Sequence, residues 1–251
     1  MRALLPLLLA LGACLPKDAQ VVDEPSWKTE SGQERIRLQL IQSLIDRGNA
    51  REALVLIRTA REHGDEDPDL DLYQAAAYMG TGLPEEATRL LSQYVEEHPR
   101  DPRPWRRLGV LHADARRLEA SASAFARATE LDDSHADTYN NLGFVLMALD
   151  RGEEAVEALR QAIDLDGTNL RYRNNLGFAL ATAGRYGEAL EAFLSGARPA
   201  DAHANMALAF ERAGDDNAAA EQYEMALTID PHHETSKEAL ARLSFPTETL
   251  P

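Results

Sequence analysis

A small residue returns along this chain at a fixed interval. Ala53, Ala87, Ser121, Ala155 and Ala189 stand 34 residues apart, and the next beat, Ala219, comes after 30. Glu52, Glu86, Glu154 and Glu188 precede four of them. A strict period of this length means a stack of small units, each of which buries its apolar face only against its neighbours. That rules out most folds built on one central core. Composition agrees: 44% of residues are hydrophobic but only 6% aromatic, and Ala and Leu dominate. Such residues favour helices, whereas strands draw on β-branched and aromatic side chains.

Counting units from Glu34, Pro68, Pro102, Ala136, Leu170 and Ala200 aligns the other recurrent positions. The eighth position holds Ile41, Ala75, Gly109, Gly143, Gly177 and Ala207. Gly48, Gly82, Gly184 and Gly214 fall where a first helix has to stop, as a left-handed cap requires. Arg116 and Asp150 hold that slot in units three and four, which predicts less favourable turns there. Pro99 and Pro231 end second helices.

These residues, together with Tyr139, Leu142, Tyr186, Phe193, Phe210 and Tyr223, resemble the tetratricopeptide repeat over about Glu34 to His233. The resemblance implies an all-α, right-handed α-solenoid superhelix of six helix–turn–helix repeats: 34–67, 68–101, 102–135, 136–169, 170–199 and 200–233. A capping helix over 234–243, with Ala239, Leu240 and Leu243 on its apolar face, and a tail over 244–251 are expected to follow. The fifth unit is four residues short, and Ser195-Gly196-Ala197-Arg198-Pro199 replaces the usual ending. Either a turn is lost from a surface loop, or the superhelix changes pitch and shapes a groove.

Residues 1–13 read as a secretory signal: Arg2, then an apolar stretch from Ala3 to Leu11 broken by Pro6, then Gly12 and Ala13. Leu11-Gly12-Ala13-Cys14 resembles the bacterial lipobox, which implies that Cys14, the only cysteine, is lipidated and begins the mature chain. Leu15, where some bacteria use Asp for inner-membrane retention, implies sorting to the outer membrane, facing the periplasm. Residues 14–33, with Pro16, Pro25, Ser26, Ser31 and Gly32, read as a flexible tether. No apolar run approaches the ~20 residues of a transmembrane helix.

In the repeat family, positions 2, 5, 6, 9, 12 and 13 of each first helix face the concave side. The resemblance thus gathers Asn140, Asn141, Asn174, Asn175 and Asn205, Phe144 and Phe178, and Arg103, Arg106, Arg107 and Arg171 into one candidate groove. Asparagine offers a donor and an acceptor, so the ladder could hold an extended peptide through its backbone; alternatively it caps and solvates the helices. The arginines could meet an acidic segment or solvate their helix. Arg106, Asn141 and Arg171 match in kind the carboxylate clamp of chaperone-binding repeats, but Val110 and Asn175 depart from it.

A net charge of −16 argues against nucleic acid as partner. No phosphate loop, nucleophile elbow or zincin motif occurs, and His232-His233 suits zinc neither in ligand count nor in spacing. Asp164-Leu165-Asp166-Gly167 lacks the glutamate of a calcium loop, since Arg173 stands in its place. The acidic run Asp65, Asp67, Asp69 and Asp71 reads as a solvated loop or a weak calcium site. The chain is therefore expected to be a non-enzymatic scaffold without cofactor, metal or small-molecule substrate. Its expected partners are a protein or extended peptide and, through the lipid, a membrane. Six units behind a lipobox, with Asn140–Phe144 and Asn174–Phe178 both reading Asn-Asn-Leu-Gly-Phe, resemble the pilotins of type IV pili and related Flp-pilus lipoproteins, which assist secretin assembly or localisation. An adaptor of peptidoglycan enzymes is the alternative.

Overall fold

In the computed structural model, which describes residues 30–244, thirteen α-helices follow one another. They pair as hairpins: α1 (Glu30–Asp46) with α2 (Ala50–Glu62), α3 (Asp69–Gly80) with α4 (Pro84–Glu97), and α5 (Pro102–Asp114) with α6 (Leu118–Leu131). Then come α7 (Ala136–Ala148) with α8 (Gly152–Leu165), α9 (Leu170–Thr182) with α10 (Tyr186–Gly196), and α11 (Pro199–Ala213) with α12 (Asp216–Ile229). Helix α13 (Glu234–Ser244) closes the C-terminal end. The α1 helix starts ahead of Glu34, within the stretch read as tether. The signal, Cys14 and most of that tether lie outside the described residues.

The periodic small residues set how closely the two helices of a hairpin approach. Ala53, Ala87, Ser121, Ala155, Ala189 and Ala219 are all fully buried. Opposite them, a Cβ added to Gly109 would lie 2.6 Å from the Phe125 ring, one on Gly143 2.7 Å from Leu159, and one on Gly177 2.5 Å from Phe193. Each glycine thus receives a large side chain from the second helix. Ile41 occupies this slot in the first hairpin, whose two helices interlock least. Ser121, the one polar member of the series, donates a 2.7 Å hydrogen bond to the Gly109 carbonyl, so its buried hydroxyl is satisfied.

The expected turn defect is present in both places. Gly48, Gly82, Gly184 and Gly214 adopt φ of +76° to +79°, and among the described residues the non-glycines at positive φ are Arg116 (57°) and Asp150 (60°). Asx turns open several helices: Asp101 and Asn169 accept from the Arg103 and Arg171 amides, and Asp166 accepts from the amide and hydroxyl of Thr168. Asp166 is thereby used within its inter-repeat turn.

The core follows the stacking. One apolar cluster joins Ile41 and Ile57 to Leu70; the next joins Leu72 and Leu91 to Leu108 and Leu111. A long third cluster runs from Phe125 through Leu159 and Phe193 to Met206. The last joins Ala207 and Tyr223 to Ala239, Leu240 and Leu243 of α13. Two contacts fix α13 parallel to α11. At its N-terminal end His233 Nε2 bonds Asp201 at 3.1 Å while its Nδ1 meets Ser236 at 2.8 Å; near its C-terminal end Arg242 pairs with Glu211. In the short fifth unit α10 ends at Gly196, where a Cβ would lie 2.9 Å from the Asn174 amide nitrogen.

Candidate functional site: the inner helical face

First helices pack on one another along the stack, α1 on α3, α7 on α9 and α9 on α11, whereas second helices show no comparable mutual packing. The first helices therefore form the inner, tighter curve. On that curve the expected groove residues are brought together, and many of them are bonded to each other.

The asparagines form a staircase. Asn175 Nδ2 donates to Asn140 Oδ1 at 2.7 Å, and Asn205 Nδ2 donates to Asn174 Oδ1 at 2.7 Å. Asn140, which is buried, donates to Asn141 at 3.3 Å. In each step the sixth position of one repeat reaches the fifth position of the repeat before it. Arg107 makes the same step between the third and second repeats, donating to the Leu72 carbonyl. The amides thus stitch neighbouring repeats together, a role beyond the capping and solvation weighed from sequence. The staircase crosses the short unit unbroken, so the four-residue loss is absorbed away from the inner edge. Each of Asn175 and Asn205 still has its side-chain oxygen turned to no protein donor among the described residues.

The arginines are engaged as well. Arg103 bonds Asp69 at 2.8 and 3.0 Å and also grips Asp101, which holds its guanidinium well above the usual range. Arg171 bonds Asp137 at 2.6 Å. Both pairs join second positions of consecutive repeats, 34 residues apart. Arg106 bonds Asp132 at 3.2 Å. The Asp132 carboxyl lies well below its ordinary pKa, through the Ser134 hydrogen bonds first and Arg106 after them. Burial pulls the Arg107 guanidinium down from its usual value. Of the acidic loop, Asp65 pairs with Arg37 and Asp71 with Arg61. No group of three or more metal-ligating side chains forms among the described residues.

Beside the staircase, at the C-terminal ends of α7, α9 and α11, the inner face opens into a cleft of about 490 Å³. Phe144 and Met147 form one wall, Phe178, Thr182 and Tyr186 the next, and Arg212 the third. Phe144 is 61% exposed, unusual for its size. Phe178 is half-buried, edge-on to Phe193 at 4.8 Å, and the Arg212 guanidinium lies 4.9 Å over its ring. Tyr186 stacks against Phe210 at 4.7 Å. A cleft of this kind offers ring faces to an apolar side chain and a cation to an acid.

Profiles of the tetratricopeptide repeat match residues 44–111, 134–198 and 200–233, together more than half of the chain. The chain belongs to the tetratricopeptide repeat family. Its fold is similar to that of Pseudomonas aeruginosa pilF (TM-score 0.64, 18% identity, 84% of this chain and 98% of that one). It is also similar to YrrB, described as a TPR protein with an unusual peptide-binding site (TM-score 0.60, 22% identity, 73% and 96%). A third likeness is to MamA from Desulfovibrio magneticus RS-1 (TM-score 0.56, 19% identity, 67% and 98%). At these identities the likeness is one of fold. No curated protein matches the chain significantly in sequence.

Tetratricopeptide register explains what the sequence reading missed. Arg212 stands at the thirteenth position of its repeat, one of the concave positions, but it carries no partner motif to single it out. Tyr186 belongs to the recurrent pattern and reads as core, yet one side of its ring reaches the cleft. The Asp69–Arg103 and Asp137–Arg171 pairs were readable as opposite charges one period apart.

Proposed function

We propose that this protein is a non-enzymatic scaffold of the bacterial envelope, tethered by a lipid on Cys14, that holds a partner segment along its inner face and assists assembly of an envelope complex. The observation that carries the binding role is the conjunction of the asparagine staircase with the open aromatic cleft beside it. An extended segment lying across α7, α9 and α11 meets side-chain carbonyls of Asn175 and Asn205 along one edge. It meets the faces of Phe144 and Phe178 along the other. Backbone pairing of this kind tolerates many sequences, and the cleft supplies the side-chain selection. Exposed Phe144 is the anchor in this arrangement, since aromatic residues seated in partly desolvated pockets dominate binding energy.

The anchor rests on Leu11-Gly12-Ala13-Cys14, and the assembly role on the resemblance to pilotin-type lipoproteins, alongside the likeness in fold to pilF. Palmitate-analogue labelling tests the anchor: wild type takes up label, Cys14→Ala does not, and label persisting in the variant refutes it. For the groove, tagged protein is recovered from envelope membranes alongside Asn141→Ala/Phe144→Ser. Loss of specific partners from the variant, with its helical signal retained, is expected. An identical partner set contradicts the groove.

A further inference from the structure

Two opposite charges line the aromatic cleft, and neither is answered within the chain. Asp150 and Arg212 are its charged lining residues, and both are exposed. Neither makes an ion pair or a side-chain hydrogen bond among the described residues. Other cations of the inner face behave differently: Arg103 pairs with Asp69 and Asp101, Arg106 with Asp132, and Arg171 with Asp137. Asp150 and Arg212 are kept apart by the helix between them, since α7 packs on α9 and α9 on α11.

Both charges are also held in place. Asp150 sits at φ 60° in the turn after α7, a left-handed conformation that Gly184 and Gly214 supply after α9 and α11. Backbone strain of this kind gathers at ligand clamps. The Arg212 guanidinium rests 4.9 Å over the Phe178 ring, a contact that fixes a cation without neutralising it.

We propose that the cleft selects an extended partner segment with a basic side chain for Asp150 and an acidic one for Arg212. Between them the segment carries an apolar or aromatic side chain for Phe144 and Phe178. The proposal rests on the inner face being a peptide groove, and it states which segment that groove prefers.

Spacing sets the pattern. Asp150 is the fifteenth residue of its repeat, and Phe178 is the ninth of the next. Six residues along a helix cover about 9 Å, and packed helices lie about 8–10 Å apart. The carboxylate therefore stands roughly 13 Å from the ring that carries the guanidinium. An extended chain rises about 3.3 Å per residue and turns every second side chain to the same face. Residues i and i+4 thus span about 13 Å, and i+2, on the same face, falls between the charges. A segment with two like charges satisfies one end of the cleft and is repelled at the other. On a chain of net charge −16 this differs from the general field, which favours segments with two basic residues.

Calorimetric titration of the full chain with acetyl- and amide-capped pentapeptides tests the proposal. Lys-Ser-Phe-Ser-Glu and its reverse, Glu-Ser-Phe-Ser-Lys, are compared with Lys-Ser-Phe-Ser-Lys and Glu-Ser-Phe-Ser-Glu. The tighter of the two mixed peptides is expected to bind at least fivefold more tightly than either like-charged peptide. Arg212→Glu should shift the preference to Lys-Ser-Phe-Ser-Lys, and Asp150→Arg to Glu-Ser-Phe-Ser-Glu, both with the helical signal retained. Arg116, at the same turn position one repeat earlier with φ 57°, shows that such a turn accepts an arginine. Equal affinity for all four peptides overturns the proposal, as does tightest binding of Lys-Ser-Phe-Ser-Lys by the wild type. A preference that neither charge reversal moves, or no binding of any peptide at millimolar concentration, overturns it too. Self-association of the chain that Phe144→Ser abolishes also overturns it, since a second copy would then be the occupant. In each of these cases the groove itself is judged separately, by whether Asn141→Ala/Phe144→Ser loses envelope partners.

Discussion

At the scale of single residues, small side chains at the hairpin crossing decide stability. Gly177 tests this because two effects oppose each other. Alanine is the better helix former by about 1 kcal/mol, but its Cβ would meet the fully buried Phe193 ring at 2.5 Å. Overpacking costs about 1–3 kcal/mol, so Gly177→Ala is expected to destabilise in urea titrations by roughly 1 kcal/mol net. Adding Phe193→Leu should then cost less than it does in the wild type. The turns run the other way. Arg116 holds a left-handed conformation that costs an L-residue about 1–2 kcal/mol. Arg116→Gly should therefore raise the unfolding midpoint by the equivalent of roughly 0.5–1 kcal/mol after glycine's greater chain entropy is counted. Asp150→Gly should gain less, since aspartate tolerates that region better.

Titration gives a further residue-scale expectation. Burial pushes the Tyr94 phenol up to about 12, helped by the 3.1 Å hydrogen bond it donates to Asp101. A folded-state pKa above the ordinary value of about 10 means that this stability is fully present below pH 10. It is lost as pH rises through about 12. Tyr94→Phe should flatten the loss of stability between those values. On the acid side, Asp201 is held low by its Arg198 hydrogen bonds and then by His233. Its contribution is present above an ordinary aspartate pKa of about 4 and disappears as pH falls through the lower folded value.

At the scale of elements, the sequence showed most of the framework and little of the wiring. The period placed all six hairpins, the αL stops and the two turns lacking glycine, because those features are set within one repeat. It could not show that Asn175 bonds Asn140, or Asn205 bonds Asn174, because such bonds depend on how far each repeat is rotated against the next. Nor could it decide what the short α10 does. Gly196 closes against the start of α9 with room for no side chain. Gly196→Val should therefore weaken the α9–α10 packing and lower the melting temperature more than a similar change at Gly187, where a Cβ meets nothing within 4 Å.

At the scale of the molecule, a linear stack has nearest-neighbour energetics. Helix α13 covers Tyr223 and Ala226 as one repeat covers another. Deleting 234–251 should broaden the unfolding transition and start it at the C-terminal end, seen as early loss of amide protection in α12 before α7 and α8. The stack also places an aromatic cleft on the inner curve, where Phe144 is exposed and Phe178 is braced by Phe193 and Arg212. Arg103 and Arg107 join repeats and Arg106 pairs within its own, whereas Arg212, in the cleft lining, makes no ion pair among the described residues.

The central claim is that partners lie on this inner curve. Site-specific photocrosslinking in intact envelopes measures it directly, with the reactive residue placed at Phe144, at Arg212, or at Met225, an exposed side chain on the second helix α12. Adducts to the same partner from positions 144 and 212, and none from 225, are predicted. Adducts concentrated at position 225, with none from the cleft, would contradict the account.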